Sequence, residues 1–338
     1  MAAYTTIDDP SLYFTLKLYT STYSSGSGTG ATINVTLDAT DDFAVDLVWI
    51  KCRSVGDNHL IADRVRGANK NLHSNTNDTE TTNTDEVTAF GDDGFTVGNN
   101  DTVNRDGASS PYVSWCWKES ATSGFDIITW SGNDSNRTIA HSLSTAPKMI
   151  FCKRRDSADT WWTYNETVGA GGQLYLNGNA ASGSDGGVLW NTTAPTSSVF
   201  SLGTNTGVNG SSGTYVAYAF ADVQGFSKVG SFTGNGNTDG TFVFLGFRPA
   251  WIMIKRTDGA NSWVIYDNKR EGYNVDNDPL QANGGNAEGT SDDIDFLSNG
   301  FKMRTSGAGE NGSGSSYIYM AFAHSPFVNS NGVPCNAR

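Results

Sequence analysis

Trp251-Ile252-Met253-Ile254-Lys255-Arg256 has two earlier counterparts, Val48-Trp49-Ile50-Lys51-Cys52-Arg53 and Met149-Ile150-Phe151-Cys152-Lys153-Arg154. The lysines stand at 51, 153 and 255, so both intervals are 102 residues (153 − 51 and 255 − 153). A fixed interval of that size is the mark of tandem copies of one unit. Each stretch is short, bulky and apolar on both faces, the pattern of a strand sandwiched between two packed layers. We expect three homologous central strands.

Eight residues after each lysine comes a second landmark: His59-Leu60-Ile61-Ala62-Asp63, Trp161-Trp162-Thr163-Tyr164-Asn165 and Trp263-Val264-Ile265-Tyr266-Asp267. The residues between are Gly, Asp, Asn and Ser, so strand, turn and strand read as a β-hairpin. A constant offset matters because a slip of one residue would turn every side chain to the opposite face. Further on, Phe95-Thr96-Val97, Phe200-Ser201-Leu202 and Phe301-Lys302-Met303 each precede a Tyr-led strand starting at Tyr112, Tyr215 or Tyr317. By period two, each Tyr and the Trp or Phe five residues on face opposite sides.

These landmarks divide the chain into residues 1–120 with an N-terminal lead-in, 121–224, and 225–338 with a C-terminal tail. Each is large enough for one sandwich core. Phe14–Thr20 and 32–37 alternate like strands, whereas Ser24–Gly30 is a Ser/Gly loop. Phe125 and Phe226 open the second and third units, with Gly132-Asn133 and Gly234-Asn235 as turns. No sustained helical period occurs apart from a turn near 62–71. The expected fold class is all-β: three tandem antiparallel β-sandwiches, jelly-roll-like, with long polar loops at 67–86, 169–193 and 271–293. Loops of that length are functional or ordered by a neighbour.

The 338 residues are 37% apolar and 12% aromatic with 39 glycines, which implies thin aromatic cores. A net charge of −13 repels phosphate backbones, so nucleic acid is not an expected partner. No apolar run is long enough to insert in a membrane, and the N-terminal residues read as no signal peptide. Cys52, Cys116, Cys152 and Cys335 form no CxxC pair and read as buried free thiols of a reducing compartment.

Asp46-Leu47-Val48-Trp49-Ile50-Lys51, Gly94-Phe95-Thr96-Val97-Gly98, Phe232-Thr233-Gly234-Asn235-Gly236, Gly246-Phe247-Arg248-Pro249-Ala250 and the run from Ile294 to Lys302 resemble a repeat family found in virion proteins of tailed bacteriophages of marine and cyanobacterial hosts. The opening Tyr4-Thr5-Thr6-Ile7-Asp8-Asp9-Pro10-Ser11 is similar to the start of its short members. The resemblance covers nearly the whole chain. It implies a tail-associated structural or adhesive virion part, assembled in the host cytoplasm, and supplies no catalytic residue. The middle unit departs most, with Asn165 in place of the Asp and no Arg three residues later.

Candidate chemistry is sparse. Asp63/Arg66 and Asp267/Arg270 share a spacing that reads as a structural salt bridge rather than a ligand site. Glu80 and Glu288 evoke a glycosidase pair, but lie in different units, whereas such carboxylates must stand ~5–10 Å apart. The four histidines are dispersed, and His59 takes the slot of Trp161 and Trp263, so it reads as packing. The acidic loops 92–94, 274–278 and 291–295 lack EF-hand spacing and read as solvated surface. No metal, cofactor or catalytic residue is expected. The expected protein is a non-enzymatic tail fibre or tail appendage, touching a host surface glycan or protein through its loops, with Tyr273, Tyr175 and Trp190 as exposed aromatics. A capsid decoration or tail adaptor is the alternative, and a polysaccharide-degrading tailspike a distant one. Its expected partners are other virion proteins and its own copies, as a compact pseudo-threefold cluster or a homotrimer.

Overall fold

A computed structural model describes residues 4–22, 32–38, 40, 42–107, 109–271, 274–276, 278–291 and 293–335. The Ser24–Gly30 loop and Tyr273 lie outside them. Among the described residues every ladder is antiparallel, and helix is confined to Pro10–Leu12, Asp101–Asn104 and Thr206–Asn209.

Three large sheets repeat one strand order. In the first, Phe14–Thr20 pairs with Pro111–Trp117, which pairs with Leu47–Cys52, then Leu60–Asp63, Lys70–Leu72 and Thr81–Thr82. The second runs Phe125–Ser131, Thr214–Phe220, Met149–Arg154, Trp161–Asn165, Gly172–Tyr175 and Gly183–Ser184. The third runs Ser227–Thr233, Ser316–Pro326, Phe247–Arg256, Trp263–Asp267 and Leu280–Gln281. All three expected hairpins form in register, and Lys51, Lys153 and Lys255 lie on corresponding strands. The lead-in strand Phe14–Thr20 holds the position that Phe125–Ser131 and Ser227–Thr233 hold in the other sheets, so it is an integral strand of the first large sheet.

Each large sheet is covered outside by a small one: Ile33–Thr36, Gly94–Val97 and Val87–Phe90; Arg137–Ala140 and Val199–Leu202; Phe242–Phe244, Gly300–Met303 and Ile294–Leu297. Alternation then divides every core strand. Val48, Ile50 and Cys52 point outward into a local core with Val35, Phe95 and Val97. Leu47 and Trp49 point inward into one cluster that also holds Phe151, Trp161, Trp251, Trp263 and Phe322. The three large sheets therefore share a single inner core, and it is aromatic: Trp117, Phe220, Trp251 and Phe322 meet with ring centroids 5.7–6.4 Å apart. Such edge-to-face pairs add to the burial of large apolar surfaces. Trp115 and Tyr218 have Met320 as their counterpart, and a small apolar cavity of about 10 Å³ opens beside it.

The Tyr landmarks clamp a turn that sequence reasoning missed. Tyr112 Oη donates to Asp101 O (2.7 Å), Tyr215 Oη to Thr206 O (2.6 Å) and Tyr317 Oη to Ala308 O (2.9 Å). Each hydroxyl also accepts an N–H, from Arg105, Gly210 or Gly312. A buried asparagine closes the same turn: Asn104 Nδ2 donates to Gly98 O, Asn209 Nδ2 to Gly203 O and Asn311 Nδ2 to Thr305 O. Asn209 and Asn311 also accept from the N–H of Asn133 and Asn235, which seats the two Gly-Asn turns. A Cβ on Gly132 or Gly234 would lie 2.1 or 2.3 Å from a backbone oxygen, so only glycine fits there. The turn expected near 62–71 forms at 64–66 directly after the hairpin, where the Asp63 side chain accepts from the Arg66 N–H.

Cys52, Cys116 and Cys152 are buried and unpaired; Cys335 is also unpaired but exposed, unlike the expectation for it. Burial pushes the Cys116 thiol up to about 12, with the Ser114 hydroxyl opposing, so it is an inert packing group at neutral pH.

Replacing Asn311 by Ala removes the amide whose two hydrogens are shared among Thr305 O, Asn235 Oδ1 and Asn237 O, tying its own turn to the Gly234-Asn235 turn. It is expected to cost at least ~2 kcal/mol of unfolding free energy, the penalty for stranding buried partners, read as a fall in urea midpoint at unchanged slope.

Candidate functional site: the joints between the sheets

The longest loops are not free. From each unit, the loop after the hairpin reaches to the next sheet and ends on it in the same way. Asp159 N donates to Asn77 O (2.8 Å), Asn261 N to Asn179 O (2.8 Å) and Asp57 N to Gly285 O (2.7 Å). A second bond follows: Glu80 N to Arg155 O (2.9 Å), Ser182 N to Thr257 O (2.8 Å) and Glu288 N to Arg53 O (2.9 Å). The first sheet's loop binds the second sheet, the second's binds the third, and the third's returns to the first. The ring is closed.

The repeated lysines sit at these joints. Lys153 Nζ donates to Arg154 O (2.7 Å) and, across the joint, to Asn77 O (3.4 Å). Lys255 Nζ does the same to Arg256 O (2.6 Å) and Asn179 O (3.3 Å). Lys51 Nζ binds Cys52 O and Val55 O within its own hairpin. All three are buried, and loss of water pushes each ammonium down to about 8. The indoles at the eight-residue landmark also cross: Trp161 Nε1 to His73 O (2.8 Å) and Trp263 Nε1 to Tyr175 O (2.7 Å). His59 fills the third slot as a packed ring. Its Nδ1 accepts from Trp49 Nε1 (2.8 Å), which leaves the proton on Nε2, toward the third unit's Gln281–Gly284 turn.

Two joints carry a chain of charge, buried at its Asp–Arg start and half-buried where it crosses to the next sheet. Arg66 binds Asp63 and reaches Glu80 (3.0 Å), which grips Arg155 of the next sheet at 2.8 and 2.9 Å. Arg270 likewise binds Asp267 (2.6 Å) and reaches Glu288 (3.5 Å), which grips Arg53 at 2.8 and 2.8 Å. Asp63 also accepts from Tyr218 Oη (2.7 Å), and Asp267 from Trp115 Nε1 (3.0 Å), each across the joint. Burial alone would raise the Glu80 carboxyl, but the Arg155 and Arg66 guanidiniums overcome it and hold it below the usual range. The positions 102 residues on from this first set are Asn165, Val168, Ser182, Thr257 and Met320, and none is charged. Charge is removed from the joint between second and third sheets as a whole set, as it must be when a lone buried charge is costly. The salt-bridge reading of Asp63/Arg66 and Asp267/Arg270 matches the geometry. Glu80 and Glu288 belong to separate joints, each spent on arginines.

Several surface expectations need correction. Trp190 is buried, its ring 5.8 Å from Tyr164, because the 169–193 loop folds into the second outer core. Tyr175 is half-buried on Trp162, with ring centroids 5.2 Å apart. Asp92 and Asp93 are solvated, but Asp276, Asp293 and Asp295 are buried. Asp293 accepts from Tyr266 Oη (3.0 Å) and Ser291 Oγ (2.6 Å), and Asp295 from Arg304 Nε (2.5 Å). Asn277 and Asp292 lie outside the described residues. Among the described residues no three His, Cys, Asp or Glu side chains gather as metal ligands.

Two outer clefts stand among the described residues. One of about 400 Å³ lies between the lead-in and the third sheet, where Lys269 ties Leu16 O (2.9 Å) to Asp38 (3.2 Å). The other, of about 290 Å³, lies in the third unit beside Asp293 and Glu310. Glu310 precedes the turn asparagine, where the other units bury Val103 and Val208. Desolvation and then Asp293 push its carboxyl up to about 7.

One family model matches residues 9–326 as a single span, a family described as a domain of unknown function (DUF7483). No curated protein matches the chain.

Two outcomes follow. Asp63→Asn is expected to cost about 3–5 kcal/mol by leaving Arg66 short of its partner, whereas Asp63→Asn with Arg66→Val, the pairing Asn165 and Val168 already use, recovers most of it in a denaturation series. Burial pushes the carboxyls of Glu86, Glu119, Asp276 and Glu310 up to about 7. Each is protonated in the folded chain but ionised in the unfolded chain between about pH 4.5 and 7, so stability falls as pH rises through that window. Thermal unfolding is expected at a higher temperature at pH ~5 than at pH ~7.5.

Proposed function

Since the chain belongs to the DUF7483 family, whose description carries no activity, we propose from its geometry and its repeat resemblance that it is a non-enzymatic structural protein of a bacteriophage particle. In this reading residues 1–120, 121–224 and 225–338 are copies of one unit, and the chain is a preassembled three-part body at the tail, contacting the host surface. The observation that carries it is the closed ring of joints, in which three sheets bury one aromatic core and cross-brace one another. Such a body resists shear and proteolysis, as an extracellular particle requires, because no sheet opens without breaking two joints. The paired carboxylates that evoke hydrolysis serve those joints instead.

One observation favours the capsid decoration or tail-adaptor alternative. The loops expected to meet a receptor are occupied at the joints, which leaves the outer sheets and shorter turns as the contact surface. Gold-labelled antibody against the chain, imaged on purified particles, distinguishes the readings. Label at the tail tip or fibres supports an appendage and label over the head a decoration. Absence of the chain from purified particles, by mass spectrometry, removes the virion reading.

A further inference from the structure

The outward edge of the third small sheet differs from its two counterparts. Val243, Val35 and Ile139 face inward opposite Phe301, Phe95 and Phe200, so the residues on either side of them correspond. In the first unit these are Asn34 and Thr36, and in the second Thr138 and Ala140, all suited to water. In the third they are Phe242 and Phe244, 45% and 52% exposed. Among the described residues these two rings are the only exposed aromatics, and on one short edge strand they form an apolar patch.

Its surroundings reverse the sign of the molecule. Lys228 Nζ lies 5.6 Å from the Phe244 ring and donates to Phe244 O (2.8 Å). Lys302 stands opposite Phe242 in the ladder, Arg304 follows two residues on, and Arg248 is exposed four residues after Phe244. Asp239 and Asp295 offset part of this charge through Lys302 and Arg304. The patch is apolar with a basic rim on a chain of net charge −13. Its complement is an acidic surface, and the most abundant acidic surface in a solution of this protein is another copy.

We propose that the Phe242/Phe244 edge docks on the acidic outer face of a second copy of this chain, the exposed Asp92-Asp93 turn being one such face. Patch and target are different surfaces, so the contact is head-to-tail and adds copies in a ring or row. Two rings and a few charges make a small interface, which places the association in the weak class. The proposal does not depend on the virion reading.

Sedimentation velocity on the full chain up to ~100 μM tests it. Wild type is expected to sediment faster with rising concentration and to revert toward monomer in ~0.5 M salt, as screening weakens the basic rim. Phe242→Asn with Phe244→Thr, the residues the first unit carries at these positions, is expected to weaken association at least tenfold with the circular dichroism spectrum unchanged. Arg248→Glu, at an exposed site, provides an independent variant with the same expected direction. A wild type that stays monomeric, self-association that survives both variants, or association that strengthens with salt would each overturn the proposal.

Discussion

Everything in this molecule depends on one contact made three times: a backbone carbonyl of a long loop accepts an N–H from the hairpin turn of the next sheet. Asn77 O, Asn179 O and Gly285 O fill that role. A carbonyl bond is individually modest, but these three sit where loop, hairpin and strand end converge. Buried lysines second two of them, and indole N–H groups brace the same two joints. Closure matters because each unit's inner sheet face is apolar and would otherwise be wet. Three such faces turned toward one another exclude water from an aromatic-rich centre.

The joints show how buried charge is tolerated. Asp63, Arg66, Glu80 and Arg155 satisfy one another, and so do Asp267, Arg270, Glu288 and Arg53. Where the facing residue is Tyr218 or Trp115, a donor is available and the acceptor is an aspartate. Where it is Met320, no donor exists and the acceptor position is Asn165. Donor, both acids and both arginines are lost together, as expected where removing one member alone strands a buried partner.

The third large sheet and its outer layer differ most from the other two in length and exposure. Its loop after the hairpin is four residues longer, since Asn283, which binds the N–H of Trp263, lies 106 residues after Asn177 (283 − 177), whereas Asn177 lies 102 after Asn75 (177 − 75). Its outer core exchanges a buried valine for Glu310, beside a cleft, and its outer edge exposes two phenylalanines. Both changes lie on the outside, where they leave the shared inner core intact.

The period of 102, the hairpins and the all-β class were legible in the sequence, because strand alternation and turn chemistry are local and each was written three times. Asp63/Arg66 could be read as a salt bridge for the same reason, since three residues span a single turn. The sequence by itself thus determined the strands, their pairing within each hairpin and the equivalence of the lysines. It did not show that Lys153 reaches Asn77, or that Glu80 grips Arg155, since those partners are 76 and 75 residues apart and meet only when the ring closes. Nor did it show that Trp190, Asp276 and Asp293 are buried: in a polar loop only the neighbouring layer decides what water can reach. Nor was it legible that Asn75, Asn177 and Asn283 each accept, through Oδ1, the N–H of His59, Trp161 and Trp263, because four extra residues before Asn283 break the period there. Tertiary structure decided what the loops are for, because the free energy that orders them comes from surfaces on a different unit.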